Sequence, residues 1–117
     1  MSEFTLYHNP RCSKSRAAVA LLEEHGRAFD TVLYLETPPS AAALRELLKK
    51  LGLSARQLLR TGEDEYAELG LNDASLSEEA LIEAMAQHPR LIERPIVVST
   101  ERAVIGRPTE RILELFA

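Results

Sequence analysis

The order of predicted secondary structure constrains the fold of this chain more than any other feature of its sequence. The apolar segment FTLYH at residues 4–8 precedes a helical pattern at about 13–25, and the β-branched and aromatic segment FDTVLYL follows at 29–35. A helix that joins two strands forms a βαβ unit, whose strands are parallel and whose crossover is right-handed. The N-terminal third therefore predicts a helix packed on two parallel strands.

The C-terminal quarter predicts a hairpin and one more helix. Short strands at 95–99 (PIVVS) and 103–105 (AVI) flank the polar turn TER, and Pro108 begins a helix over TERILELF. Because strands lie near both ends, the chain must return to complete a single sheet. We expect an α/β fold with a mixed four-stranded sheet flanked by helices, in one domain that spans residues 1–117.

Between these ends, residues 40–90 predict helices throughout. Ser40 is a suitable N-cap for a helix with leucines at helical spacing, and Gly52 follows its end. Two shorter helical segments, SARQLLR and EDEYAEL, are each followed by a glycine, and a further helix is predicted at about 77–87. We expect a helical insertion at about residues 40–90.

Composition narrows the possible functions. The chain has 117 residues and a net charge of −4, which argues against a nucleic-acid-binding surface. No apolar run approaches membrane-spanning length, and the N-terminus lacks the layout of a signal peptide. We therefore expect a cytoplasmic protein without a membrane partner, with a monomer as the default state. His, Cys and acidic residues never cluster at ligand spacing, so no metal site is predicted.

The single cysteine, Cys12, is the strongest candidate for chemistry. It lies where the first strand gives way to a helix, and the unpaired N–H groups and positive dipole end there favour a thiolate. The nearby side chains of Arg11, Lys14 and Arg16 are expected to lower the thiol pKa further and to attract an anion. The alternative is an inert core cysteine. A lone cysteine cannot form an internal disulfide, so any disulfide chemistry requires a thiol from another molecule.

Three arginines lie at the ends of predicted elements rather than on helix faces. Arg60 closes the segment QLLR, Arg94 precedes Pro95, and Arg107 precedes another proline. Loop positions concentrate functional side chains, and the planar guanidinium group suits bidentate contact with an oxyanion. The alternative is that each is a solvated surface arginine or, for Arg60, a partner of a helix C-terminus.

Pro95 is predicted to be a structural residue near this site. A cysteine at a strand-to-helix turn, preceded by Pro10, is typical of the active thiol in thioredoxin-like domains, which carry a second proline beside that thiol. Pro95 stands at the corresponding point before IVV. Its peptide bond is either cis, as this position suggests, or trans in a proline that opens a strand.

The chain resembles the glutaredoxin-linked arsenate reductases, a family with a thioredoxin-like core. The resemblance covers nearly the whole chain through YHNPRCSKSR, VLYLETPPS, the LLR that ends at Arg60, ELGL, QHPRLIERPIVV and the late GRP. The chain ends at Ala117, which makes it more similar to the short arsenate-reductase-like bacterial proteins than to the longer resistance enzymes.

The resemblance implies an activity and a role for each candidate residue. Cys12 would attack the arsenic of arsenate, and His8 would help to lower the thiol pKa. Arg60, Arg94 and Arg107 would bind the oxyanion and the charged adduct. No bound cofactor is implied. Glutathione would be a co-substrate that attacks the arsenic adduct, and glutaredoxin would regenerate the enzyme as arsenite is released.

Two other classes of protein require residues near the cysteine that differ from those in this chain. A phosphatase of the low-molecular-weight type needs an arginine at the sixth position after the cysteine, where this chain has Ala18. A transcription regulator with this fold that binds RNA polymerase usually carries a C-x-x-C switch, and its second cysteine would stand at Ser15. That regulator remains an alternative, as does a thiol oxidoreductase that acts on another oxyanion or on a glutathione adduct.

Overall fold

The computed structural model describes residues 3–116, and the chain divides into two compact units. The first unit combines the N-terminal segment up to Thr37 with the C-terminal segment from Arg94 onwards, and the second is Pro38–Glu93. That the chain acts as one domain stays a prediction. None of the helices in the described part combines the length and apolar character needed to cross a bilayer.

The elements of the first unit are β1 (Phe4–Tyr7), α1 (Ser13–Glu24), β2 (Phe29–Val32), β3 (Ile96–Val98), β4 (Ala103–Ile105) and a 3₁₀ helix (Thr109–Phe116). The strands form a mixed four-stranded sheet with the order β2-β1-β3-β4. β1 pairs in parallel with β2 and antiparallel with β3, and β3 pairs antiparallel with β4. The predicted βαβ unit, hairpin and mixed sheet are therefore confirmed.

The core of the first unit forms where α1 and the C-terminal 3₁₀ helix pack with the sheet. In β1, the side chains of Phe4 and Leu6 are buried, whereas those of Thr5 and Tyr7 are partly exposed, as expected for alternate strand positions. Each fully buried large side chain contributes about 1.5–3 kcal/mol. This core fixes both ends of the loop between β1 and α1, which carries the cysteine. Its members are Phe4, Leu6, Ala18, Leu22, Val97, Val104, Ile112 and Leu115.

Two predicted elements differ from the structure. The second strand was expected to run from Phe29 to Leu35, but β2 ends at Val32. The carbonyl of Leu33 accepts hydrogen bonds of 2.9 Å from the N–H groups of Glu36 and Thr37, and these bonds close a turn instead of extending the strand. The last helix lies where it was predicted, but it is a 3₁₀ helix throughout.

The second unit is helical, which confirms the predicted insertion. Its capping agrees with the sequence: the Ser40 hydroxyl accepts a hydrogen bond from the N–H of Ala43, and Gly52 ends α2 (Ala41–Leu51) with a φ of 68°. Leu59 pairs with Ile92 in an isolated antiparallel bridge. The helices are α2 (Ala41–Leu51), α3 (Ala55–Leu58), α4 (Asp64–Glu68), α5 (Glu78–Gln87) and a 3₁₀ helix (Pro89–Leu91).

Candidate active site

Cys12 lies at the end of the β1–α1 loop, and its partly exposed thiol is free. Its N–H donates to the carbonyl of Asn9 at 2.9 Å, while its own carbonyl accepts from the N–H of Arg16 at 3.0 Å. The Asn9 side chain is buried, and its Oδ1 accepts from the N–H of Arg11 at 3.0 Å. The loop is therefore held by its own hydrogen bonds, with the cysteine as the N-cap residue of α1.

The surroundings of Cys12 favour the thiolate. Burial raises the pKa of the thiol, but the backbone N–H groups of Ser15 and Lys14 and the guanidinium group of Arg94 lower it further than burial raises it. The net pKa lies below the ordinary value of 9.0. Cys12 makes no conventional side-chain cap, so these N–H groups act on the sulfur in a looser arrangement than an oxygen cap provides. The sequence predicts that N–H groups at the start of the helix lower the pKa of this thiol, and the contacts of Ser15 and Lys14 agree with that prediction.

Two arginines from the C-terminal part of the first unit converge on the sulfur. The Nη2 atom of Arg107 lies 3.6 Å from Cys12 Sγ, and the Arg94 side chain hydrogen-bonds to the same sulfur. The two are also linked, because Arg107 Nε donates to the carbonyl of Arg94 at 2.6 Å. Both side chains are partly buried. The thiol and two of the three predicted arginines therefore form one cluster.

Pro95 and Gly106 hold the two arginine segments together. The peptide bonds Arg94–Pro95 and Arg107–Pro108 are both cis, which settles the choice left open for Pro95. The N–H of Gly106 donates to the Pro95 carbonyl at 2.9 Å. A Cβ atom on Gly106 would lie 3.0 Å from Cγ of Pro95, so only glycine allows this approach without a shift of the neighbours. This contact fixes the end of β4 just before Arg107.

His8 contacts Ser15, a residue that the sequence did not single out for this site. Nδ1 of His8 lies 2.8 Å from the Ser15 hydroxyl, and that hydroxyl accepts a hydrogen bond from the N–H of Asn9 at 3.0 Å. Ser15 is fully buried. Burial, followed by the charge of Arg16, lowers the pKa of His8 below its ordinary value of 6.5, which favours the neutral imidazole. The contact that the structure gives the His8 side chain is with the Ser15 hydroxyl, and the effect of His8 on Cys12 stays a prediction.

The cations that adjoin Cys12 in sequence have different roles from the expected one. Lys14 acts on the sulfur through its backbone N–H, and the charge that lowers the thiol pKa belongs to Arg94. The Arg16 guanidinium donates to the Pro10 carbonyl at 2.8 Å. The expectation that neighbouring side chains supply the charge is corrected, because side chains in the first turn of a helix point outward while its N–H groups point along the axis.

Arg60 belongs to the second unit, where acidic side chains surround it. Its Nη1 lies 2.5 Å from Oε1 of Glu93, and its Nε lies 3.4 Å from Oε2 of Glu63. Its backbone N–H donates to the Leu91 carbonyl at 2.7 Å. The arginine is partly buried and held by carboxylates of its own unit. Its part in an oxyanion site stays a prediction.

The lowered thiol pKa predicts the pH dependence of alkylation. The rate of reaction between iodoacetamide and Cys12 should rise with pH and reach half of its maximum below pH 9.0, because the thiolate is the nucleophile and its folded-state pKa is lowered. The measurement is alkylation under native conditions, followed by mass spectrometry. The denatured chain provides the control, with a midpoint near the ordinary thiol pKa. Coincident midpoints would show that the fold leaves this thiol unshifted.

The site is suited to nucleophilic attack on an anion. It combines a thiol of lowered pKa with two guanidinium groups, which stabilise negative charge as it develops on an attacked group. Within residues 3–116, no group of three or more His, Cys, Asp or Glu side chains is placed to hold a metal ion.

Comparison with known proteins identifies the family. The ArsC family model matches residues 7–115. The chain is 61% identical over 111 residues to "Uncharacterized protein YfgD" of Escherichia coli K12, covering 94% of this chain and 93% of that protein. It is 52% identical over 113 residues to a Neisseria meningitidis serogroup A protein named arsenate reductase, covering 96% of this chain and 97% of the relative. A solved structure named arsenate reductase, from Vibrio cholerae, superimposes with a TM-score of 0.94 at 51% identity and 97% coverage of both chains. The chain therefore belongs to the ArsC family.

Proposed function

We propose that this protein reduces arsenate to arsenite through a covalent adduct on Cys12, with glutathione and glutaredoxin as the sources of electrons. The observation that carries the proposal is the cluster in which Arg94 and Arg107 contact the sulfur of an ionisable thiol. Relatives at 52% identity over nearly their full length are named arsenate reductase, which supports the choice of substrate.

The first step uses the thiolate as a nucleophile. The Cys12 sulfur attacks the arsenic of arsenate, an S–As bond forms, and one arsenate oxygen leaves as water after protonation. The adduct keeps a negative charge on its remaining oxygens. Arg107 and Arg94 are permanently charged and stand beside the sulfur, so they would stabilise this charge without a proton transfer.

The following steps need thiols that the chain lacks. Cys12 is the only cysteine. The thiol of glutathione would attack the adduct, form a second S–As bond and release a second water. A glutaredoxin thiolate would then attack the glutathione sulfur. A disulfide would form between glutaredoxin and glutathione, and the bond between the glutathione sulfur and arsenic would break. The electron pair of that bond would stay on arsenic, which is reduced from As(V) to As(III). Water would finally cleave the bond to Cys12 and release arsenite.

The test is arsenite formation by the purified protein in the presence of arsenate, glutathione and reduced glutaredoxin, with each omitted in turn. We expect sustained turnover only in the complete mixture, because no second thiol in the chain can resolve the adduct. Sustained turnover without an added thiol would refute the electron path. An enzyme that is alkylated at Cys12 but forms no arsenite would support another oxyanion substrate or the regulator alternative.

A further inference from the structure

A pocket of about 400 Å³ opens beside the loop that leads to Cys12. It is lined by the loop His8–Arg11 together with Leu33, Leu35 and Glu36 from the turn after β2. Its volume lies within the range of small-molecule sites. Leu33 and Leu35 stay 37% and 39% exposed, so they offer apolar surface that a bound molecule would cover. Cys12, Arg94 and Arg107 are not among the residues that line the pocket, so the chemistry of that cluster assigns the pocket no role.

The pocket has one positive and one negative side chain in its lining. Arg11 and Glu36 are both exposed. Within residues 3–116, neither side chain forms a hydrogen bond or an ion pair with another residue, and only their backbone N–H groups are engaged. Both charges are therefore available to a ligand. A molecule with separate carboxylate and ammonium groups would satisfy both of them.

We propose that this pocket binds glutathione, with the glycine carboxylate on Arg11 and the ammonium of the γ-glutamyl arm on Glu36. The methylene groups of that arm would cover Leu33 and Leu35. This inference rests on the proposed function, in which an external thiol attacks the adduct on Cys12. Arg11 directly precedes Cys12, with about 3.8 Å between their Cα atoms. A tripeptide held at Arg11 is therefore bound next to the residue that carries the reacting sulfur.

The direct test is a titration of the ¹⁵N-labelled protein with S-methylglutathione, which cannot form a disulfide. We expect chemical-shift changes at the backbone amides of residues 8, 9, 11 and 33–36. Arg11→Ala and Glu36→Gln should each raise the dissociation constant about tenfold, because each removes one charge-assisted contact. Both residues are exposed, so neither change should disturb folding. Arg102→Ala is the matched control, since Arg102 is an exposed cation outside this pocket.

A second ligand tests the assigned orientation. S-methyl-γ-glutamylcysteine lacks the glycine carboxylate, so it should bind the native protein about tenfold more weakly than S-methylglutathione. Arg11→Ala should not weaken that shorter ligand further, whereas Glu36→Gln still should. Equal losses for both ligands in Arg11→Ala would overturn the assigned orientation.

Other outcomes separate this inference from the proposed function. Shift changes confined to other residues, or unchanged dissociation constants in both pocket variants, would overturn the pocket assignment. It would also be overturned if reduced glutaredoxin perturbs these amides and S-methylglutathione does not, because the surface would then bind a protein. If S-methylglutathione binds here and arsenate is not reduced, the proposed function fails and the pocket assignment stands.

Discussion

Replacement of Cys12 by serine is expected to abolish arsenate reduction, with a loss in kcat of about 10³-fold or more. Serine nearly preserves the size of the side chain, and the N–H groups of Ser15 and Lys14 would still face it. A hydroxyl group is not ionised near neutral pH, however, so the nucleophile is lost while the binding groups stay. The measurement is arsenite formation with glutathione and glutaredoxin supplied in excess.

Ser13→Ala is the matched control for this variant. Ser13 is the first residue of α1, is exposed, and directly follows Cys12. Removal of its hydroxyl group should leave turnover within about twofold of the native enzyme, since exposed substitutions rarely have larger effects. If Cys12→Ser kept a substantial part of the native kcat, arsenic could not be bonded to this sulfur during turnover, and the covalent mechanism would have to be abandoned.

Most of the fold could be predicted because its signals are local. The period of apolar residues distinguishes the strands from the helices, and Ser40 and Gly52 bound α2 through hydrogen bonds made within a few residues. The end of β2 could not be predicted in this way. Leu33 and Leu35 continue the apolar pattern of the strand, but hydrogen bonds to the Leu33 carbonyl turn the chain, and the two side chains stay partly exposed beside the loop.

The candidate site was only partly predictable, because its charges come from distant parts of the chain. A cysteine at the start of a helix indicated a thiolate from local sequence alone. Arg94 and Arg107 reach the sulfur because β3 pairs with β1 and the hairpin returns the chain beside it. No local pattern specifies that pairing. Ser15 stands three residues after the N-cap Cys12, and from this spacing the contact between the Ser15 N–H group and the sulfur could have been predicted.

Replacement of Arg107 by lysine should lower kcat/KM for arsenate by about 10²-fold. Arg107 makes two contacts at once, through Nε to the Arg94 carbonyl at 2.6 Å and through Nη2 to Cys12 Sγ at 3.6 Å. A lysine ammonium is a single point charge that cannot reproduce this planar fork. Removal of one preorganised donor to a developing oxyanion typically costs about 10²–10³-fold. The loss of kcat/KM in Arg107→Ala should therefore lie at the upper end of that range, about 10³-fold.

Arg111→Lys is the matched control, because Arg111 is an exposed arginine on the 3₁₀ helix that follows Arg107 and pairs only weakly with Glu114 at 3.5 Å. Its kcat/KM should stay within about twofold of the native value. The alkylation midpoint of Cys12, measured in both variants, separates two causes of a loss at Arg107. An unchanged midpoint with reduced kcat/KM assigns Arg107 to the oxyanion, whereas a raised midpoint assigns part of the loss to the thiolate. A native kcat/KM in Arg107→Lys would exclude Arg107 from the site, and the charge on the adduct would then depend on Arg94.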